Sequence, residues 1–328
     1  MLYKLLTIKQ IQHMSTPLFS HKVAEIFVKT DDFCIHFEKE FKNYSLPVSK
    51  DAKKRNRKTT LCDSEIITIL IAFQGGQFRN FKHFYNHYVC HHLRDCFPNL
   101  VSYNRFIELS HRSAVPFMLF LHYCCRGECT GISFIDSTVL RVCHNKRIKR
   151  NKVFKDLATV GKSTMGWFFG FKLHLIINDK GEILSFYLTK GSVDDRNAKA
   201  ITKMTKDIFG KLFGDKGYIS KALSDMLFND GIQLITAVRR NMKEKALSNE
   251  EKLLLRKRSV IETVNDELKN ICHAEHTRHR SIAGFLLNII SAIAAYSFFP
   301  KKPSIKKDIQ ETNPSLIAQH NQPKLIAA

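Results

Sequence analysis

The chain has 328 residues, enough for one large domain or two ordinary ones, and 44% of them are hydrophobic, which excludes wholesale disorder. Fifty-two Lys and Arg stand against 30 Asp and Glu, a net charge of +22, and an excess of that size points to a polyanionic partner. There is no amphipathic anchor, lipidation motif or signal-like apolar run near the start, so a nucleic acid is expected rather than a membrane, in the cytoplasm. The longest apolar stretch, residues 285–299, is interrupted by Asn288 and Ser291 and reads as a buried helix. Nine cysteines, an odd number without framework spacing, read as reduced thiols. Cys124, Cys125, Cys129, Cys143 and His144 lack the paired spacing of a zinc site and read as small buried residues.

In chain order, KKRNRK (53–58) is a charge run, either solvated or an arm for a DNA backbone. Residues 61–73, 81–93 and 103–124 carry apolar side chains at helical spacing. Gly75–Gly76 separates the first two, which leaves open a helix-turn-helix or an ordinary bundle. Residues 1–128 are expected to form an all-helical N-terminal region that binds DNA. From residue 131 the period changes. GISFIDSTVLRVCH (131–144) is β-rich, and residues 165–179 and 181–189 read as a hairpin about Lys180–Gly181. A helix over 196–209, a strand and turn over 211–217, a helix over 219–228 and a strand over 232–238 follow. Ser248 and Glu251 form a capping box that opens the last helical region. The order β-β-β-α-β-α-β-α predicts an α/β domain over 129–299, a mixed sheet with helices packed on it. Beyond Pro300 the periodicity is lost, as in a flexible tail running to residue 328.

Three acids stand in unusual settings. Asp136 sits in the middle of an apolar strand, where an ionised carboxylate is expensive unless compensated. Asp215 ends a short apolar strand between Gly214 and Gly217, and Glu262 lies in KRSVIETVNDELKN (257–270). On an α-helix Arg258 and Glu262 differ by about 40° and Glu262 and Lys269 by about 20°, so the three share a face. Ile261, Val264, Leu268 and Ile271 form the buried stripe beside it. Singly, each acid has an ordinary structural explanation: a hydrogen-bonded turn, a turn residue, a partner for Arg258. Jointly, in a strongly basic chain, they make a set of hard oxygen donors suited to Mg²⁺. Two such ions about 3.5–4 Å apart serve phosphodiester chemistry.

Through these and neighbouring segments the chain resembles bacterial insertion-sequence transposases of the DDE type, which have an RNase H-like catalytic domain. FIDST, the run GFKLHLIINDKGEILSFYLTKGSVDDR, LFGDKGY and Arg258-x3-Glu262-x6-Lys269 carry the resemblance, helped by LCDSEIITIL and FPNLVSYNRFIEL, over about residues 60–299. The signature's tyrosine position holds Leu255. The resemblance implies a mixed five-stranded sheet with Asp136, Asp215 and Glu262 as catalytic acids holding Mg²⁺, with Mn²⁺ as a substitute and two ions expected. It implies cleavage at the terminal inverted repeats and transfer of the freed 3′-hydroxyl to target DNA, by a homodimer on double-stranded DNA. Arg258 and Lys269 would grip phosphates. Lys172 and Lys216 face DNA or water, and HNKRIKRNKVFK (144–155), with Lys146, Arg147, Lys149 and Arg150, favours backbone contact. The family has an acid near Asp194 and Asp195, either of which aligns with it. His174 reads as a strand residue ahead of a proton carrier. No Walker-type stretch occurs and no nucleotide cofactor is expected. Two rivals remain, a nuclease or resolvase without strand transfer and a non-catalytic DNA-binding repressor.

Overall fold

The computed structural model describes residues 17–44, 59–76, 78–238, 242, 246–276 and 278–305. The basic run 53–58 and the tail from residue 306 lie outside the described residues. The first layer is helical: α1 (Pro17–Tyr44), α2 (Asp63–Gly75), α3 (residues 81–92), α4 (Tyr103–Arg112) and α5 (Ala114–Cys124). Helix α2 is apolar all round, and ten of its residues, from Ser64 to Gln74, are buried. It is the axle of the bundle. Thr30 and Thr68 meet through their hydroxyls at 2.9 Å, and Ser64 donates to Asp31 at 2.7 Å, which pins α1 to α2.

Two helical segments depart from the simple periodicity. Residues 103–124, expected as one helix, divide at Ser113, whose hydroxyl donates to Asp63 Oδ1 at 2.6 Å. Pro116 explains the break, because proline suits a first turn and disrupts an interior one. The middle of α3 is a π-helix, Phe84–Val89, that buries Phe84, Tyr85, Tyr88 and Val89 together.

The sheet contains β1 (Ile132–Cys143), β2 (Thr159–Ser163), β3 (Gly166–Asn178), β4 (Ile183–Lys190), β5 (Gly210–Gly214) and β6 (Ile232–Thr236). β1, β3 and β4 form an antiparallel meander, β5 runs parallel to β1, and β6 runs parallel to β5. The lateral order β4-β3-β1-β5-β6 is that of an RNase H-like sheet, as expected. A sixth strand, β2, pairs with residues 166–170 of β3. Its sequence, TVGKS, is too short and mixed to show an alternation.

Alternation along each strand feeds two cores. Phe134, Leu175, Ile177, Phe213 and Ile235 point to one face, and Ile135, Ile176, Leu212 and Leu234 to the other. The second face is covered by α6 (Ala198–Met204) and α7 (Lys221–Asn229), through Ile201, Met204, Leu223 and Leu227. The first is covered by α8 (Asn249–Lys257), α9 (Ser259–Asp266), α10 (Ile282–Ser297) and the N-terminal helices. One continuous core therefore joins Ile67 and Phe117 of the helical layer to Leu173 of the sheet and Ile289 of α10. Gln74 Nε2 donates to Asn288 Oδ1 at 2.6 Å, so a polar residue inside the apolar 285–299 run ties α10 to α2. Among the described residues no helix is long and apolar enough to cross a membrane.

The anticipated capping box opens α8: Ser248 Oγ accepts from Glu251 N at 3.1 Å, and Glu251 Oε2 accepts from Ser248 N at 2.9 Å. Gly181 supplies the positive φ (75°) of the β3–β4 turn. Residues 301–305 run back over that turn. Ile305 N donates to Asp179 O at 2.8 Å, and Lys302 caps α10 by donating to Ser297 O at 2.8 Å.

Candidate active site

Strand register places two of the acids side by side. Phe134 of β1 pairs with Phe213 of β5 in the parallel ladder, and their rings stack at 5.5 Å. Asp136 and Asp215 each lie two residues further on. They therefore share the face of the stacked rings, on neighbouring strands about 4.8 Å apart. Asp215 N-caps a short 3₁₀ turn, its Oδ1 accepting from Gly217 N at 2.8 Å.

Helix α9 crosses the same face. Ile261 and Val264 bury themselves in the core that holds Phe134, which brings Arg258, Glu262 and Asn265 to the acids. Arg258 Nη2 donates to Glu262 Oε1 at 2.7 Å, and its Nη1 lies 3.9 Å from Asp136 Oδ1. Asn265 Nδ2 donates to Asp136 Oδ2 at 3.0 Å. The Asp136 side chain is 22% exposed. Burial pushes its pKa up to about 6, against the pull of Arg258 and the Ser137 backbone N–H, and the charges of Asp215 and Glu262 push the same way as burial. Desolvation outweighs the guanidinium because Nη1 stops short of a hydrogen bond.

The acids are neighbours but not a closed cage. Glu262 is 57% exposed and turned to Arg258. Among the described residues no three His, Cys, Asp or Glu side chains form a group that could hold a metal ion as they stand. Yet Arg258 Nη1, Asn265 Oδ1 and Tyr218 Oη are buried without hydrogen-bond partners. Arg258 and Asn265 touch Asp136 directly, whereas Tyr218 packs with Ile135 in the core of the other face, where burial and then the charges of Asp136, Asp195 and Asp215 raise its pKa well above the usual range. Unsatisfied buried polar atoms are costly and uncommon. Two of them, the Arg258 nitrogen and the Asn265 oxygen, meet at one carboxylate, which fits a site completed by a hard cation and a phosphate.

Asn265 and Tyr218 were not singled out from sequence. Of the adjacent acids, Asp195 is held on the face of the sheet opposite Asp136: Ser137 Oγ donates to its Oδ1 at 2.9 Å, and Lys172 Nζ donates to the same oxygen at 3.0 Å. Asp194 instead forms an exposed pair with Arg196, which holds its carboxyl well below the usual range. Lys172 is 13% exposed and also donates to Val193 O at 2.9 Å, so its role here is to hold Asp195. Lys269 lies in a π-helical turn, Glu267–Ile271, that breaks the ideal angular spacing. Its Nζ is 3.2 Å from Glu275 Oε2, and Glu275 Oε1 accepts from Arg141 N at the bulge of β1. Lys216 is exposed directly after Asp215, and Lys146, Arg147, Lys149 and Arg150 are exposed on a 3₁₀ turn, Asn145–Arg150. Leu255 packs on the core.

His174 is a buried strand residue whose Nε2 lies 2.8 Å from Thr189 Oγ1. Burial lowers its pKa to about 4, with Lys172 acting in the same sense and Asp195 opposing. A His lowered in the folded state loses stability as pH falls below its unfolded value of about 6.5, until the folded pKa is reached. Between pH 6.5 and 4 stability should fall more steeply in the native protein than in His174→Gln. Chemical denaturation at stepped pH reads the difference, expected to be on the order of 2 kcal/mol.

Residues 126–282 match the family model described as "Transposase DDE domain". This segment is similar to transposase DDE domains. The match contains Asp136, Asp215, Glu262 and the whole sheet. In overall structure the chain is similar to a piggyBac transposase solved by cryo-EM as a synaptic complex with hairpin DNA. The two are 11% identical, with a TM-score of 0.42 over 85% of this chain and 72% of that one. No curated protein matches the sequence significantly. The matched segment begins just after α5 and ends where α10 starts.

Proposed function

We propose that this chain is a DDE transposase that cleaves the ends of its own mobile element and joins them to target DNA. The observation that carries this is the register-matched pair Asp136 and Asp215, faced by Glu262 from α9 and bordered by the unpaired buried Arg258 Nη1 and Asn265 Oδ1. Members of this family generally use divalent metal ions, and Asp136, Asp215 and Glu262 would hold Mg²⁺ or Mn²⁺, two ions being the natural number for this chemistry. When bound, the ions would polarise the scissile phosphate and stabilise charge on the attacking and leaving oxygens. The chain's own side chains do the rest. Asn265 fixes the rotamer of Asp136 through its amide. Arg258 releases Glu262 and turns its guanidinium to a DNA phosphate, a bidentate geometry suited to arginine.

Residues 129–299 are the catalytic domain in this reading, and residues 1–128 contribute to DNA binding. Since ten of the thirteen residues of α2 are buried, that contribution comes mainly from other parts of the region. The exposed cations at 146, 147, 149, 150 and 216, with Lys269, serve the DNA backbone. A homodimer would bring two element ends together.

The test is incubation of the protein with Mg²⁺, linear DNA ending in the repeats that flank its reading frame, and a supercoiled plasmid. Products in which the 3′ ends are covalently joined to plasmid support the transposase. Cut ends that stay unjoined make it a nuclease, and binding without cutting makes it a repressor.

A further inference from the structure

The β2–β3 hairpin carries the most exposed large apolar side chains near the site's face of the sheet. Met165 at its turn is 83% exposed and Trp167, the single tryptophan of the chain, is 61% exposed. Register pairs Lys162 with Trp167 and Val160 with Phe169, so Val160, Lys162 and Trp167 line one side of the hairpin. Lys162 Nζ lies 5.7 Å from the centre of the indole ring. Asn145 Nδ2 donates to Trp167 O at 2.8 Å, which fastens the basic turn Asn145–Arg150 to the hairpin beside its tip. Residues 144–167 contain seven Lys or Arg and one acid, Asp156.

An apolar tip on a neutral surface would suit another protein chain. Here the surrounding charge is overwhelmingly positive, which disfavours self-association and selects a polyanion. Among polyanions, double-stranded DNA offers both a backbone for the cations and a groove into which apolar wedges insert between base steps.

The strand pairing also sets a distance. Asp136 pairs with Leu175, and Trp167 lies eight residues from Leu175 along β3, with its side chain on the same face. At about 3.4 Å per residue that is about 27 Å. DNA rises about 3.4 Å per base pair, so the span corresponds to about eight base pairs.

We propose that the β2–β3 hairpin is a DNA-contacting wedge that lays Trp167 and Met165 into the groove about eight base pairs from the phosphate at Asp136, with the 145–150 turn on the backbone. This rests on the transposase reading of the acid site, but its test needs no catalysis.

Because Trp167 is the only tryptophan, its fluorescence reports the hairpin directly in the unmodified full chain. The protein is titrated with an unlabelled duplex oligonucleotide while binding is followed in parallel by anisotropy of a labelled copy. The expected result is Trp quenching that saturates with binding, and affinity reduced about tenfold in Trp167→Ala and little in Trp167→Phe. With 2-aminopurine stepped along an element end, the response should peak about eight base pairs from the cleaved bond. Binding without any change in Trp emission, and with unaltered Trp167→Ala affinity, overturns the wedge and leaves the transposase reading intact. Absence of duplex binding overturns both. An emission change that follows protein concentration without DNA assigns the hairpin to self-association and overturns the proposal.

Discussion

Asp136→Asn is expected to abolish metal-dependent strand cleavage while making the metal-free protein more stable. Stabilisation of several kcal/mol at the reacting phosphate depends on the acids' charge, and each 1.36 kcal/mol is tenfold in rate, so the loss should reach about a thousandfold or more. Stability moves the other way because Asp136 is a buried carboxylate whose nearest guanidinium nitrogen is 3.9 Å away. The amide keeps an acceptor for Asn265 and removes the desolvated charge, a gain on the order of 1 kcal/mol. Single-turnover cleavage and urea unfolding of the same preparation measure both signs. Lower stability with cleavage retained would make Asp136 an ordinary structural residue.

Arg258→Ala separates two roles for one side chain. Arg258 is the counter-ion of Glu262 at 2.7 Å and lies beside Asp136, yet its Nη1 has no partner. As a phosphate clamp, its loss should lower cleavage about a hundredfold, the scale of removing one charge-stabilising donor from an active site. As a counter-ion, it competes with a divalent cation for Glu262, so Mn²⁺ affinity measured by calorimetry should stay level or rise. Arg258→Lys should recover only part of the activity, since an ammonium lacks the planar fork. A variant in which metal affinity collapses with cleavage would make Arg258 a scaffold for the acids and nothing more.

Much of this site was legible because its parts are local. Apolar runs around Asp136 and before Asp215 marked strand cores, the alternation over 171–177 marked β3, and Ser248 with Glu251 marked a helix start. What stayed hidden depends on the third dimension. Asn265 reaches Asp136 across 129 residues, and nothing in VND distinguishes it from a surface amide until α9 is laid on β1. Asp195 and Asp194 differ only once the fold is formed, because Ser137 and Lys172, which hold Asp195, belong to two different strands. Lys269 shares a face with Arg258 on an ideal helix, but the π turn at Glu267–Ile271 and the pull of Glu275 give it a different neighbour. The sequence left α2 open between an ordinary bundle and the first helix of a helix-turn-helix, and its packing between α1 and α10 appears only in the packed molecule.

The most direct test of the central claim is cleavage at the boundary of the flanking repeats by the native chain and by Glu262→Gln, each with Mg²⁺, with Mn²⁺ and with chelator. The account predicts cutting at that boundary by the native protein with either ion, none with chelator, and none by Glu262→Gln although it binds the same DNA. Equal cutting by the two proteins, or cutting that persists in chelator, would contradict it.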